Sequence, residues 1–177
     1  RRVTGGYLLS PEWSMEPGIY IANIKTNEME KVLERGFNAH FGAEEDRLYY
    51  TSYVPDSKYT ELELRSVNLD GEDERKLLKG DKVTEFQLSP DGNWVAYTHQ
   101  NNAFVAPLLN TGAQQDLGTE TGGLPVAQVS ARAGEYLSWS ADSSRLSWSH
   151  AATVFERDLN EAFSFLDGSP EQLPEPV

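Results

Sequence analysis

One stretch of the sequence decides the fold, Phe86-Gln-Leu-Ser-Pro-Asp-Gly-Asn-Trp-Val-Ala-Tyr-Thr-His99. A similar stretch lies 51 positions later at Leu137–His150, and another lies 47 positions earlier at Ala39–Ser52. In each copy, large residues recur two apart around a central turn, which is the pattern of a β-hairpin with one apolar face. The residues that coincide are Phe41, Leu88 and Trp139; Leu48, Val95 and Leu146; and Tyr50, Tyr97 and Trp148.

The centre of the hairpin is a turn, which reads Ser-Pro-Asp-Gly at residues 89–92. Asp hydrogen-bonds to its own backbone in such turns, and Gly tolerates a positive φ. Ser143 and Glu45 stand where Gly92 stands in the clearest copy. The sequence therefore predicts a different turn type in those two copies.

Each copy continues with two more short strands. Third strands are predicted at Leu62–Leu69, Ala103–Leu108 and Thr153–Leu159, and an earlier one at Gly18–Ile24 has the remnant of a hairpin, Tyr7–Ser14, before it. Fourth strands are predicted at Met29–Glu34, Glu74–Leu78 and Gln114–Leu117. Four short strands in about 40 to 50 residues are typical of a propeller blade. We therefore predict an all-β fold, a partial β-propeller of about three to four four-stranded antiparallel blades; a sandwich or meander is the alternative.

The repeat also predicts how the chain is divided. We expect an incomplete first blade at 1–36, blades at 37–80 and 81–118, an inserted loop at 119–135, a last blade at 136–168, and a linker to a further domain at 169–177. Both ends interrupt the pattern, so we expect the chain to be a fragment of something larger. Long insertions map to one face of a propeller, often the binding face.

The insert at 119–135 contains a predicted short strand, Val126–Ser130, and two candidate interaction residues, Pro125 and Arg132. The alternative is a loop that packs against a neighbouring domain. His99 and His150 are further candidates, because they occupy the same repeat position, where the third copy has Ser52. Equivalent positions of successive blades share one face of a propeller. Two histidines alone are a weak basis for zinc, which usually has three protein ligands in catalytic sites, so strand-end packing is the alternative.

The composition excludes several function classes. The 177 residues include 15 Lys and Arg against 28 Asp and Glu, a formal net charge of −13, which repels phosphate backbones and makes nucleic acid an unexpected partner. No apolar run approaches the roughly 18 residues of a membrane helix, and no signal peptide is recognisable, so we expect no membrane insertion. The chain has no cysteine, which excludes disulfides and thiol catalysis.

Sequence motifs of catalysis are missing. There is no Gly-x-Ser-x-Gly elbow, P-loop, His-Glu-x-x-His or EF-hand loop. The acidic runs at 44–46 and 72–74 stand at turns, where solvated charge is expected, and Trp139 and Trp148 are expected to be packing anchors. We therefore predict no catalytic residue, no cofactor-binding residue and no metal ligand in this chain.

The unit at Leu88–Tyr97 resembles the repeat of TolB-like propellers, relatives of the WD-repeat class. Arg35–Gly42, Gly134–Asp142 and Phe163–Gly168 resemble bacterial amidohydrolases in which such a propeller precedes a metal-dependent hydrolase barrel. This resemblance implies a periplasmic or secreted protein and a zinc-type metal only in a downstream domain. The His-x-His motif of that barrel is absent from the sequence, so none of its catalytic residues can be assigned here.

The resemblance implies a non-catalytic propeller fragment of a larger hydrolase that serves as a scaffold, substrate gate or protein-interaction module. The alternatives are the propeller of a prolyl-oligopeptidase-like serine peptidase and a stand-alone TolB-type binding protein. The expected partners are further blades and a catalytic domain of its own chain. An open arc also exposes strand edges and apolar surface, which predicts an edge-to-edge homodimer.

Overall fold

The computed structural model describes residues 2–3, 18–57, 60–117 and 123–177. These residues form fifteen β-strands and one 3₁₀ turn at Leu159–Glu161, so the fold is all-β, as predicted. The predicted hairpin remnant Tyr7–Ser14 lies outside the described residues. The strands are β1 (Arg2–Val3), β2 (Gly18–Ala22), β3 (Met29–Leu33), β4 (Phe37–Phe41), β5 (Arg47–Tyr53), β6 (Glu61–Asn68), β7 (Arg75–Asp81), β8 (Val83–Leu88), β9 (Trp94–His99), β10 (Asn102–Pro107), β11 (Gln115–Asp116), β12 (Ala127–Gln128), β13 (Glu135–Trp139), β14 (Arg145–His150) and β15 (Thr153–Asp158).

The strands form four sheets in chain order. The first sheet is β1-β2-β3, the second β11-β7-β6-β5-β4, the third β12-β10-β9-β8 and the fourth β13-β14-β15. Every pairing is antiparallel except β11 with β7, which is parallel. The second and third sheets therefore contain the four-stranded antiparallel unit that the repeat predicts.

The repeat seen in the sequence is present in the strand register. Three hairpins place their equivalent residues opposite each other: Phe41 with Leu48, Leu88 with Val95, and Trp139 with Leu146. Each hairpin also has one register shift in its first strand, β4, β8 or β13. The three copies are thus the same structural unit, including its irregularity.

Three apolar cores hold the four sheets together, one between each successive pair. Leu48 and Tyr50 pack towards the first sheet with Ile19. Their repeat equivalents do the same one sheet further on: Val95 and Tyr97 pack against the second sheet, and Leu146 and Trp148 against the third. Each hairpin therefore buries its large residues on the preceding sheet, which builds a propeller arc. No core cluster of the described residues joins the fourth sheet to the first.

The turn between the hairpin strands corrects one prediction. Ser89 Oγ donates to Asp91 Oδ1 over 2.5 Å, and Ser140 Oγ donates to Asp142 Oδ1 over 2.6 Å, so the two turns have the same network. Ser143 has φ +61°, close to the +74° of Gly92. The expectation of a different turn type was wrong for Ser143, and its hydroxyl explains why: it accepts the Asp91 N–H over 3.0 Å. Glu45 has no positive φ, as expected for a different turn.

The fourth strand of the copy at Phe86–His99 differs from the prediction. The predicted segment Gln114–Leu117 does contain a strand, β11, but β11 pairs with β7 of the second sheet. The edge of β10 is instead covered by β12, from the predicted strand Val126–Ser130. Two-residue strands have no periodicity from which a partner could be inferred, so only the three-dimensional structure reveals this exchange.

Across the described ranges, no helix is long and apolar enough to cross a membrane.

Candidate functional site

A cleft of about 760 Å³ opens between the second and third sheets. A concave site of this volume is large enough for a small-molecule ligand. Its walls come from the turns after β4 and β8, the beginning of β7 and the segment that follows β10. Residues of both sheets line the cleft.

The floor of the cleft is apolar. Tyr49 and Leu88 belong to the core between the two sheets, and Leu77 and Leu108 pack against that core. Tyr49 faces this side because residues alternate along a strand, and its neighbours Leu48 and Tyr50 face the first sheet. The hydrophobic core between the two sheets therefore extends to the surface, where it forms the floor of the cleft.

A charged rim lies above the floor on the second sheet. Arg75 donates to Asp73 Oδ2 over 2.7 Å, and its guanidinium lies 3.9 Å from Glu44 Oε2. The Tyr49 hydroxyl donates to Glu44 Oε1 over 3.4 Å. Burial and the neighbouring Glu44 carboxylate raise the pKa of Tyr49. Tyr49 therefore stays protonated and offers the cleft a neutral hydroxyl.

The buried side chain of Arg47 holds this rim in place through Asp73. This side chain is only 2% exposed and donates to Ser66 Oγ, to Asn68 Oδ1, and to both Oδ2 and the backbone carbonyl of Asp73. Hydrogen bonds from Arg47 and Arg75 hold the pKa of Asp73 below its usual value. The buried guanidinium thereby fixes Asp73, and Asp73 in turn orients Arg75 at the mouth of the cleft.

The turn after β8 brings Asp91 and Asn93 to the side of the cleft that the third sheet provides, and Gln114 lines the cleft from the segment just before β11. Burial opposes ionisation of Asp91, but hydrogen bonds from Ser89 and Asn93 outweigh it and lower the pKa of Asp91. Gln114 Nε2 donates to the buried Glu63 carboxylate over 3.0 Å and to the Leu78 carbonyl over 3.2 Å. The cleft thus combines an apolar floor with fixed polar groups, an arrangement suited to binding an amphipathic ligand or side chain.

A second, smaller recess of about 270 Å³ lies beside the first strands of the hairpins. Asn38, Glu85 and Tyr136 line it, and all three occupy the same repeat position, next to the register shift of β4, β8 and β13. Burial raises the pKa of Glu85, although the Leu137 N–H lies 3.4 Å from its carboxylate and opposes the rise. The recess therefore holds a half-buried acid whose pKa lies above the usual value of a glutamate.

The two predicted histidines have different environments. His99 is buried, lies edge-on to Phe104, and its Nδ1 has no hydrogen-bond partner. Burial is the main cause that lowers the pKa of His99. His150 is exposed at the end of β14. Within the described part of the chain, no hydrogen bond or ring contact joins the two imidazoles, and a shared site for them stays a prediction.

The other two candidate residues, Pro125 and Arg132, are exposed and lie on either side of β12. Neither lines the cleft or the recess. No cluster of three or more His, Asp or Glu side chains that could hold a metal occurs among the residues with described positions.

Sequence reasoning missed the cleft residues Tyr49, Arg75 and Gln114. They come from three segments that are far apart in the sequence and meet only through the pairing of β5, β7 and β11. Only Tyr49 of these three could have been noticed in the sequence, because it is a large aromatic residue on the opposite face of its strand from the aligned residues Leu48 and Tyr50.

Comparison with known proteins adds little to this description. No protein-family model and no curated protein sequence matches the chain. The solved structures that are similar include an oligogalacturonate lyase in complex with manganese, the β-propeller domain of the trilobed protease from Pyrococcus furiosus, and an acylaminoacyl peptidase from Pyrococcus horikoshii.

The similarity to these structures is weak. Sequence identities are 12%, 20% and 20%, and TM-scores are 0.48, 0.40 and 0.37. The matches cover 73%, 64% and 62% of this chain, and 36%, 33% and 16% of the respective structures. The chain thus spans about a third or less of each of these proteins. TM-scores below 0.5 support no inference about activity, and the propeller arc described above follows from the repeat and the three cores.

Proposed function

We propose that this chain is a non-catalytic, TolB-like propeller segment of a larger hydrolase, in which it serves as a scaffold, substrate gate or protein-interaction module. The observation that carries the proposal is the repeated burial of Leu48, Val95 and Leu146, each on the preceding sheet. A chain that grows by stacking sheets in this way produces clefts between blades and exposed loops at the rim. These are binding features, and the cleft beside Tyr49 is one of them.

We also propose which class of hydrolase the parent protein belongs to. The residues that resemble bacterial amidohydrolases favour a metal-dependent barrel in another part of the parent protein, located in the periplasm or secreted. A zinc-type metal would belong to that barrel, and no step of its chemistry is assigned to residues of this chain. A propeller placed over the barrel would act on substrates by admitting or excluding them.

The coding sequence on both sides of the segment gives the first test. A His-x-His motif in the following hundred or so residues supports the amidohydrolase. A Gly-x-Ser-x-Gly elbow there supports a serine peptidase instead, and a stop codon with more blades upstream supports a stand-alone binding protein.

Gating is tested in the parent enzyme with a double substitution, Pro125→Ala with Arg132→Ala. Deletion of 119–135 is unsuitable because β12 pairs with β10. We expect the KM for a bulky amide substrate to change at least about threefold, while the KM for a small anilide and the Tm stay the same. Identical KM values for both substrates would contradict a gating role for this loop.

A further inference from the structure

The last five residues of the sequence, 173–177, lie against the third and fourth sheets, and Val177 makes main-chain hydrogen bonds to the third sheet. The Val177 N–H donates to the Val129 carbonyl over 3.1 Å, and the Ala131 N–H donates to the Val177 carbonyl over 2.7 Å. These two bonds bracket Ser130 in the pattern of a parallel β-bridge. The segment that the sequence predicts to be a linker is therefore docked on the edge of the propeller arc.

A buried arginine holds the same segment from the other side. Arg157 of β15 is only 6% exposed, and its Nη1 and Nη2 donate to the carbonyls of Pro174 (3.2 Å) and Glu175 (2.8 Å). Arg157 lies opposite Leu146, just as Val67 lies opposite Leu48 and Ala106 opposite Val95. A position that is apolar in the second and third sheets thus carries a guanidinium in the fourth. A buried guanidinium is costly unless acceptors satisfy it.

The docked segment has matching chemistry. It reads Leu-Pro-Glu-Pro-Val at residues 173–177, and proline has no N–H and favours an extended backbone. The segment therefore presents mainly carbonyl acceptors, whereas Arg157 has only donors. Its extended conformation is partly fixed before docking, which lowers the entropy lost on binding.

The wall of the groove has its own hydrogen bonds to β10, which do not involve the segment. Ser130 is fully buried, and its hydroxyl accepts the Ala103 N–H over 2.7 Å. Gln128 Nε2 donates to the Ser130 carbonyl over 2.8 Å. The Val129 N–H also donates to the Ala103 carbonyl over 2.9 Å, so residues 129–130 are bonded to β10 independently of the segment, and we expect this strand edge to persist when the segment leaves.

We propose that the groove between Val129–Ala131 and Arg157 is a binding site for an extended, proline-containing peptide, and that residues 173–177 fill it as an intramolecular ligand. Recognition uses main-chain bonds from a strand edge together with an arginine fork on two successive carbonyls. A tethered segment competes at an effective concentration of about millimolar. A free peptide therefore binds only when residues 173–177 are displaced. This inference does not depend on the proposed hydrolase.

The test uses the full 177-residue chain and a fluorescent peptide with the sequence of residues 171–177. In one variant, Leu173–Val177 is replaced by a Gly-Ser sequence of equal length. A matched control adds Arg157→Ala to it. Anisotropy titration should show saturable binding to the replaced variant, affinity at least about tenfold weaker in the control, and no binding to the wild type. Equal affinity in variant and control would overturn the proposal.

Hydrogen exchange of backbone amides in the intact chain gives a second test. It can be carried out even if the variant with the Gly-Ser sequence does not fold. Arg157→Lys keeps a charge but loses the fork of donors. We expect the Ala131 amide, which bonds to Val177, to exchange at least about tenfold faster, while the core amide of Leu64 is unchanged. Equal exchange at Ala131 in wild type and variant would show that Arg157 does not hold the segment.

Discussion

At the scale of single residues, Arg47 shows how a buried charge can organise a surface site. Its guanidinium has hydrogen-bond acceptors on Ser66, Asn68 and Asp73, so the cost of its burial is offset within one sheet. Arg75 bonds to the same Asp73 carboxylate but is half exposed. We therefore expect the two arginines to contribute very differently to stability although they share a partner.

We predict that Arg47→Met lowers the free energy of unfolding by about 3 kcal/mol, because it removes the donors that satisfy buried Ser66 and fix Asp73. Arg75→Met is the matched control and should cost less than about 1 kcal/mol, as is typical of exposed ion pairs. Urea denaturation measures both values. Equal losses for the two variants would show that Arg47 does not organise the rim.

Glu85 leads to a pH-dependent prediction. Because burial raises its pKa in the folded protein, the folded state favours the protonated form. The stability that this proton confers is present below the pKa of the unfolded chain and is lost as the pH rises through the folded pKa. Glu85→Gln should therefore raise the Tm at pH 7 and change it little at pH 4.

Thermal unfolding at the two pH values checks this prediction, with Glu30→Gln on the exposed face of β3 as the control. The neighbouring groups of the recess, Asn38, Glu135 and Tyr136, are unchanged in both variants. A Tm increase that is the same at pH 4 and pH 7 would mean that a loss of charge at Glu85 is not the cause.

At the scale of strands and turns, most hairpin strands could be predicted from the sequence and the outermost strands could not. The aligned large residues determine the register of β8 with β9, because each of these two strands has to bury its large residues on one face of the sheet. By contrast, β11 and β12 have two residues each, and their partners are chosen by contacts distant in sequence. The same applies to Ser143, whose left-handed backbone is stabilised by the Asp91 amide of the neighbouring turn.

The exchange of outer strands can be tested at Ser130. Its hydroxyl is the acceptor for the buried Ala103 amide, so Ser130→Ala should destabilise the protein by about 1–3 kcal/mol, the cost of an unsatisfied buried donor. Ser138→Ala on the exposed side of β13 should change stability by less than about 0.5 kcal/mol. If both substitutions are neutral by urea denaturation, residues 127–130 are not an integral strand of the third sheet.

At the scale of the whole molecule, the outward side of the fourth sheet differs from those of the other sheets. The second sheet presents Leu62 and Leu64 to the third sheet, and the third presents Ala96 and Val105 to the fourth. The corresponding side of the fourth sheet carries Ser138, Ser147, Ser149, Val154 and an ion-pair network of Arg145 with Glu156 and Asp158. Polar outer faces are typical of terminal repeats in stacked folds.

We predict that no further blade packs on this side of the fourth sheet. The chain has no cysteine, so one introduced thiol reports the exposure of one position. Glu156 and Val105 are repeat equivalents, opposite Ser147 and Ala96 respectively, but Glu156 is exposed and Val105 is 1% exposed. Glu156→Cys should react with a thiol reagent at the rate of a free thiol. Val105→Cys should react at least about a hundredfold more slowly, because it requires local opening.

The same two variants distinguish two ways in which copies of the chain could associate: by packing on the outward face of the fourth sheet, or by pairing along the edge of β15. Pairing along the free edge of β15 would leave the Glu156→Cys thiol reactive at all protein concentrations, because that side chain points away from the sheet rather than along it. Packing of a second copy on the face would slow its reaction as the concentration rises, in step with the mass from light scattering. Protection of Glu156→Cys equal to that of Val105→Cys at micromolar concentration would contradict a solvated terminal face, and would mean that another surface covers this side of the fourth sheet.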